Sequence, residues 1–260
     1  MNHSPFNAST ESANTNPASH ILAVIPARYA STRFPGKPLV DIGGKPMIQH
    51  VWERVGKVSA IDKVIIATDD SRIQEAANLF GAESFMTSPD HPSGTDRIWE
   101  VAAQLPDYNW ILNVQGDEPL IDPTHLDAAI STIQCHPQAD IITLVTPLTD
   151  VESWQDPNIV KAVIAENGQA LYFSRAAIPY HRDEPGLPAH VFRHIGLYLY
   201  RRSSLEQFTQ LPPSTLELTE KLEQLRALEA GMTIATTLVN KAPIGVDTPQ
   251  DLVRLADYFH

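Results

Sequence analysis

Residues 26–37, Pro26-Ala27-Arg28-Tyr29-Ala30-Ser31-Thr32-Arg33-Phe34-Pro35-Gly36-Lys37, hold Arg28, Arg33 and Lys37 and no acid; the next acid is Asp41. The chain as a whole has 31 Asp and Glu against 19 Lys and Arg, so this purely basic loop runs against its background. It follows an apolar run, residues 21–25, that reads as a buried strand. A loop after the first strand of an α/β sheet lies at the carboxyl edge, where such folds bind ligands. Small residues let the backbone approach a ligand closely, and Arg and Lys give charge-assisted hydrogen bonds to phosphate. The stretch therefore reads as a polyphosphate cradle; the plainer alternative is a solvated turn.

Pro38 and Pro46 follow the two Gly-Lys pairs where a Walker loop needs Ser or Thr, and no G-x-G-x-x-G occurs there. Both absences weaken ATPase, kinase and dehydrogenase readings. A second constellation is Asn113-Val114-Gln115-Gly116-Asp117-Glu118-Pro119, just past another buried strand. A carboxylate opposite a polyphosphate is suited to Mg²⁺, which takes one or two carboxylates plus phosphate oxygens. Asp117 is the candidate ligand, with a turn or capping role as the alternative. Gln115 has a donor and an acceptor to offer a base edge. In Gly245-Val246-Asp247-Thr248-Pro249, Asp247 either caps the last helix or supplies a second carboxylate to the same metal.

Arg97, in Ser93-Gly94-Thr95-Asp96-Arg97, falls in a first helical turn, where the helix dipole disfavours a cation. That conflict suggests an external anion or an acidic partner. The second half contributes Arg175 in Tyr172-Phe173-Ser174-Arg175, and His194, Gly196 and Tyr198 alternating along one predicted strand. Glu223 and Gln224 follow in Leu222-Glu223-Gln224-Leu225-Arg226. A lone His on a strand is more often structural than chemical. No Cys/His cluster has zinc spacing, and no G-x-S-x-G occurs.

These residues need a scaffold. The 260 residues, 43% of them hydrophobic, fit one large α/β domain or a domain with a subdomain. The net charge of −12 argues against general nucleic-acid or anionic-membrane binding, and leaves room for a small anion in a local basic pocket. With Cys135 as the one cysteine, no internal disulfide forms, which predicts a reducing compartment, the cytoplasm. No apolar run approaches the ~18 residues a membrane helix needs, and the N-terminus does not read as a secretory signal. Residues 1–19 hold a single charged side chain, Glu11, lack apolar periodicity, and are expected to form a disordered tail.

From residue 20 onward strand and helix patterns alternate. Strands are expected at 21–25, 64–67, 110–114 and 140–145, and helices near 47–55, 71–80, 94–104 and 123–134. Such alternation implies a mostly parallel sheet with helices on both faces. After residue 150 the texture changes: 159–165 and 169–173 flank Glu166-Asn167-Gly168, an Asn-Gly hairpin signal. A strand at 192–200, a helix at 214–229, a strand at 233–239 and a closing helix at 248–258 complete the expected order. The inserted hairpins suggest a smaller antiparallel subdomain around 150–210.

The segments PARYASTRFPGKPL, SGTDR, NVQGDEP, ALYFSRAAIPY, HIGLY, LEQLR and GVDTP, in this order, resemble the motifs of the 3-deoxy-manno-octulosonate (KDO) cytidylyltransferases, also called CMP-KDO synthetases. The first segment alone would mark only the broader cytidylyltransferase group; QGDEP with YFSR, HIGLY and LEQLR narrows it. The likeness runs from about residue 21 to the C-terminus. It implies a Rossmann-like nucleotidyltransferase three-layer sandwich, a homodimer of lipopolysaccharide synthesis that joins CTP and KDO into CMP-KDO and pyrophosphate with Mg²⁺. By the same resemblance Arg28, Arg33 and Lys37 take the CTP phosphates, and Ala27, Arg97 and Gln115 lie by cytosine. Asp117 and Asp247 hold Mg²⁺. Arg175, His194, Tyr198, Glu223 and Gln224 line the sugar site, with Arg175 offering a fork to the sugar carboxylate. Two other classes stay in view: a silent nucleotide-sugar binder, which would be expected to lack Lys37, Asp117 or Asp247, and a glycosyltransferase, which would usually carry a D-x-D motif after a strand.

Overall fold

The computed structural model describes residues 19–30, 34–246, 248–255 and 258–259. Arg33, Asp247 and all but the last residue of the expected tail lie outside them. In chain order the elements begin with strand β1 (Ile21–Ala27), a 3-10 turn (Lys37–Leu39), a small ribbon of β2 (Asp41–Ile42) and β3 (Lys45–Pro46), and helix α1 (Met47–Val55). There follow β4 (Lys63–Thr68), α2 (Ser71–Leu79), β5 (Ser84–Met86), α3 (Gly94–Ala103), β6 (Trp110–Asn113), α4 (Pro123–Cys135) and β7 (Ile141–Pro147). The second half contains α5 (Val151–Gln155), β8 (Lys161–Ile164), β9 (Ala170–Ser174), β10 (Phe192–Arg201), α6 (Arg202–Gln210), α7 (Thr215–Glu220), α8 (Gln224–Glu229), β11 (Ile234–Leu238) and α9 (Pro249–Leu255).

The main sheet runs β11-β7-β10-β6-β1-β4-β5. Its pairings are parallel except at β10, which is antiparallel to both β6 and β7. Strand β1 sits near the centre and is buried on both faces, as its unbroken apolar run requires. Ile21, Ala23, Ile25 and Ala27 pack into one core with Ile48 and Val51 of α1 and Leu126 of α4. Leu22 and Val24 pack into the other with Ile98 of α3 and Leu205 and Phe208 of α6. The result is three layers.

The antiparallel part joins the main sheet directly. The β8–β9 hairpin pairs with β10, and β10 is an inner strand of the main sheet. The expected helix over 214–229 is two helices. Ser214 and Glu217 form a capping box at the start of α7, and Lys221 in the left-handed conformation (φ 55°) ends it before α8. Apolar periodicity alone gave no sign of that break. No helix among the described residues is long and apolar enough to cross a membrane.

Two consequences position the site. The loops after β1, β4 and β6 leave the same carboxyl edge, because those strands are parallel. Strand β10 runs the opposite way, so its beginning, not its end, reaches that edge: Tyr198 pairs with Asn113 at the end of β6, and residues 193–196 project beyond it.

Candidate active site

The basic loop closes on itself first. Gly36, at φ 71°, turns the chain so that its N–H donates to the Tyr29 carbonyl at 2.9 Å. This places Lys37 at the start of the 3-10 turn. Its ammonium donates to Asp117 Oδ2 at 2.7 Å and to the Val246 carbonyl at 2.7 Å. The Val246 N–H in turn donates to the Asp117 carbonyl at 2.9 Å. Three loops far apart in sequence, after β1, after β6 and before α9, are thus tied at one point. The loop after β6 also presses on β1: a Cβ on Gly116 would sit 2.8 Å from the Pro26 carbonyl oxygen, closer than real contacts allow.

Arg28 and Arg97 form a second group at the end of β1. The Arg28 guanidinium donates to the His91 carbonyl at 2.8 Å, and its pKa is lowered by burial and then by the charge of Arg97. Arg97 is fully buried; it pairs with Asp69 at 2.7 Å and donates to the Thr87 hydroxyl, while its Nε has no partner among the described residues. The acidic partner suggested by its place in the first turn of α3 is therefore Asp69. Ala27 is buried at the end of β1. Gln115 Nε2 lies 3.4 Å from the Gly196 carbonyl, joining the loop after β6 to β10.

His194, Tyr198 and Gln224 come together in one chain of hydrogen bonds. The Tyr198 hydroxyl donates to Gln224 Oε1 at 3.2 Å, Gln224 Nε2 lies 3.5 Å from His194 Nδ1, and His194 Nε2 lies 2.9 Å from Thr143 Oγ1. Thr143 passes its own proton to the Leu197 carbonyl at 2.8 Å. That order of donors assigns the proton of a neutral His194 to Nε2. Burial pushes the His194 pKa down to about 3 and raises that of Tyr198. Thr143, on β7, had no signal in the sequence, because a Thr in an apolar strand reads as filler.

Glu223 and Arg175 sit differently. Glu223 Oε2 accepts from Thr95 at 3.0 Å while Oε1 is buried without a partner among the described residues, and burial raises its pKa. Arg175, expected as a carboxylate fork, donates instead to the carbonyls of Glu220 (2.7 Å), Pro157 (2.9 Å) and Lys221 (3.5 Å), and its backbone N–H is held by the Glu220 carboxylate at 2.9 Å. It pins the end of β9 to the turn after α7.

A polar cavity of about 340 Å³ opens at the carboxyl edge. Asp117, Glu118, Arg193, His194, Gly196 and Asp251 border it; Arg175 and Glu223 do not. Burial, followed by the charge of Asp117, pushes the Glu118 pKa up to about 8, with Arg193 opposing. Among the described residues no cluster of three or more His, Cys, Asp or Glu forms a metal cage. Asp117, with further carboxylates on the same cavity, fits a hard divalent cation that completes its shell with substrate oxygens rather than with protein alone.

The cytidylyltransferase family profile matches residues 22–234. A 3-deoxy-manno-octulosonate cytidylyltransferase of Syntrophotalea carbinolica is 53% identical over 242 residues, covering 90% of this chain and 96% of the relative. The chain belongs to the KDO cytidylyltransferase family. Its relatives of the same name include one from Geobacter sulfurreducens, 47% identical with 92% and 98% covered, and one from Leptospira interrogans, 49% identical with 92% and 96% covered. A solved CMP:2-keto-3-deoxy-manno-octonic acid synthetase in complex with CTP has a TM-score of 0.87 at 42% identity, covering 92% of this chain and 98% of that one. A 4-diphosphocytidyl-2C-methyl-D-erythritol synthase from Anaerococcus prevotii, at 12% identity and a TM-score of 0.61, shares the fold. Within this cytidylyltransferase the sheet edge carrying Lys37, Asp117 and His194 is the candidate active site.

Proposed function

We propose that this chain catalyses CTP + KDO → CMP-KDO + pyrophosphate, and that the Lys37–Asp117–Val246 junction is where the phosphates meet the metal. The junction carries the reading: a single ammonium bridges a carboxylate and a carbonyl from two other loops at 2.7 Å each. Phosphate oxygens compete with Asp117 for that ammonium, and a cation compensates Asp117 once Lys37 turns to phosphate. Arg28, beside Arg97 at the end of β1, offers a second charge to the triphosphate. Arg33 and Asp247, outside the described residues, are assigned to the phosphates and the metal. Ala27, Arg97 and Gln115 would border the base.

The KDO anomeric oxygen attacks the α-phosphorus, its O–H proton leaves to solvent, and the α–β bridging bond breaks with its electron pair on pyrophosphate. Such transfers depend mainly on positioning and charge compensation. A Mg²⁺ held by Asp117 and Asp247 would supply Lewis acidity toward the phosphate and lower the pKa of the attacking hydroxyl. His194, Tyr198 and Gln224, oriented by their hydrogen-bond chain, present fixed polar groups to the sugar hydroxyls. We assign a homodimer as the working form; Leu171 on β9 and Tyr180, 60% and 84% exposed, offer apolar surface for a second copy.

Pyrophosphate release from CTP, followed with and without KDO, tests the reading. Release that requires both substrates and a divalent cation is expected. Release from CTP alone, or none with KDO, would refute it.

A further inference from the structure

The acid sugar brings a carboxylate into a cavity already bordered by Asp117, Glu118 and Asp251. A second anion among these groups needs a cation, and a carboxylate is best matched by a guanidinium fork. The residue expected to supply it, Arg175, commits its guanidinium to three backbone carbonyls and borders a different part of the molecule. Among the described residues bordering the cavity, Arg193 is the single Arg or Lys. Its guanidinium makes no hydrogen bond or ion pair within 4.0 Å with the described residues, although it faces the Glu118 carboxyl electrostatically. It is half-buried, on a segment held firmly: Arg193 pairs with Thr146 on β7 and with Lys161 on β8, and the next residue, His194, donates its N–H to the Val160 carbonyl at 2.8 Å.

We propose that Arg193 is the substrate-binding cation that receives the carboxylate of the acid sugar, while Arg175 is a positioning residue that fixes β9 against the turn after α7. The proposal rests on KDO being the acceptor. Arg193 then holds the acid from the start of β10. Selection of acid sugars over neutral ones follows, because without a carboxylate to bind, Arg193 stays opposite the cavity acids and contributes nothing to the sugar.

The test compares wild type, Arg193→Gln and Arg193→Lys with saturating CTP, using KDO and its methyl ester, with thermal unfolding to confirm the fold. Arg193→Gln is expected to raise KM for KDO about 10- to 100-fold with KM for CTP within about twofold, and to erase most of the preference for KDO over the ester. Arg193→Lys, which keeps the charge and loses the fork, falls between. An unchanged KM for KDO in a folded Arg193→Gln variant overturns the proposal. So does a loss confined to CTP, which would move Arg193 to the triphosphate. A wild type that turns over CTP but not KDO would instead overturn the choice of substrate, and with it the premise.

Discussion

Among single residues, Asp117 and His194 have the most distinct consequences. Asp117 is held by the Lys37 ammonium at 2.7 Å and borders the cavity to which we assign the metal. Asp117→Asn keeps the shape and removes the charge. Turnover should fall by about three orders of magnitude, as loss of metal-assisted chemistry does, while CTP binding stays within about tenfold. Near-normal turnover in Mg²⁺ would remove Asp117 from the metal site. His194 gives a pH signature. Its folded pKa lies near 3, against about 6.5 in an unfolded chain. The unfolded state therefore takes up the proton first as pH falls. Stability linked to this group is complete above about pH 6.5 and is lost progressively toward pH 3, at up to ~1.4 kcal/mol per pH unit. Denaturant midpoints across that range should show a shallower acid slope in His194→Gln; an identical slope would mean the imidazole does not titrate between the two states.

Residue types announced part of this site, and the reasons differ. Lys37 and Asp117 were legible because a basic loop and an acidic turn each followed an apolar strand, and parallel strands bring such loops to one edge. Asp69, in Thr68-Asp69-Asp70, carried no signal that set it apart from its neighbour: Asp70 caps α2, accepting from the Arg72 N–H, while Asp69 serves Arg97. The cavity position of Arg193 was not legible, because it depends on β10 running antiparallel inside a parallel sheet. A strand's direction is a tertiary property that its own pattern does not encode. The backbone contacts of Arg175 were not legible for a related cause: a motif Arg looks alike whether it meets a ligand or the backbone.

At the scale of elements, the loop after β6 works as a bracket against β1. Its Gly116 passes so near the Pro26 carbonyl that a methyl group would meet it at 2.8 Å. The contact is backbone, so neither side gives cheaply. Gly116→Ala should cost about 1–3 kcal/mol of stability and displace Asp117, lowering turnover more than CTP affinity. A variant with wild-type unfolding and turnover would show that the loop has slack. Element positions were largely legible: the runs at 21–25 and 110–114 became β1 and β6, and the Asn-Gly signal fell between β8 and β9. The α7–α8 break was not, because Lys221 takes a left-handed conformation that sequence assigns first to Gly.

At the scale of the whole molecule, the exposed edge near β9 predicts self-association. Sedimentation should give twice the chain mass of 28.7 kDa, and Leu171→Glu should shift the equilibrium toward the single chain. A wild-type mass of one chain at micromolar concentration would contradict the assignment.

In the proposed reaction the three joined loops direct attack at the α-phosphorus of CTP. Phosphorus NMR of a turnover mixture of CTP, KDO and Mg²⁺ reads this directly, because pyrophosphate and orthophosphate resonate apart. The account predicts pyrophosphate and a CMP phosphodiester growing together in equal amounts. Orthophosphate with CDP would place the attack at the γ-phosphorus and contradict it.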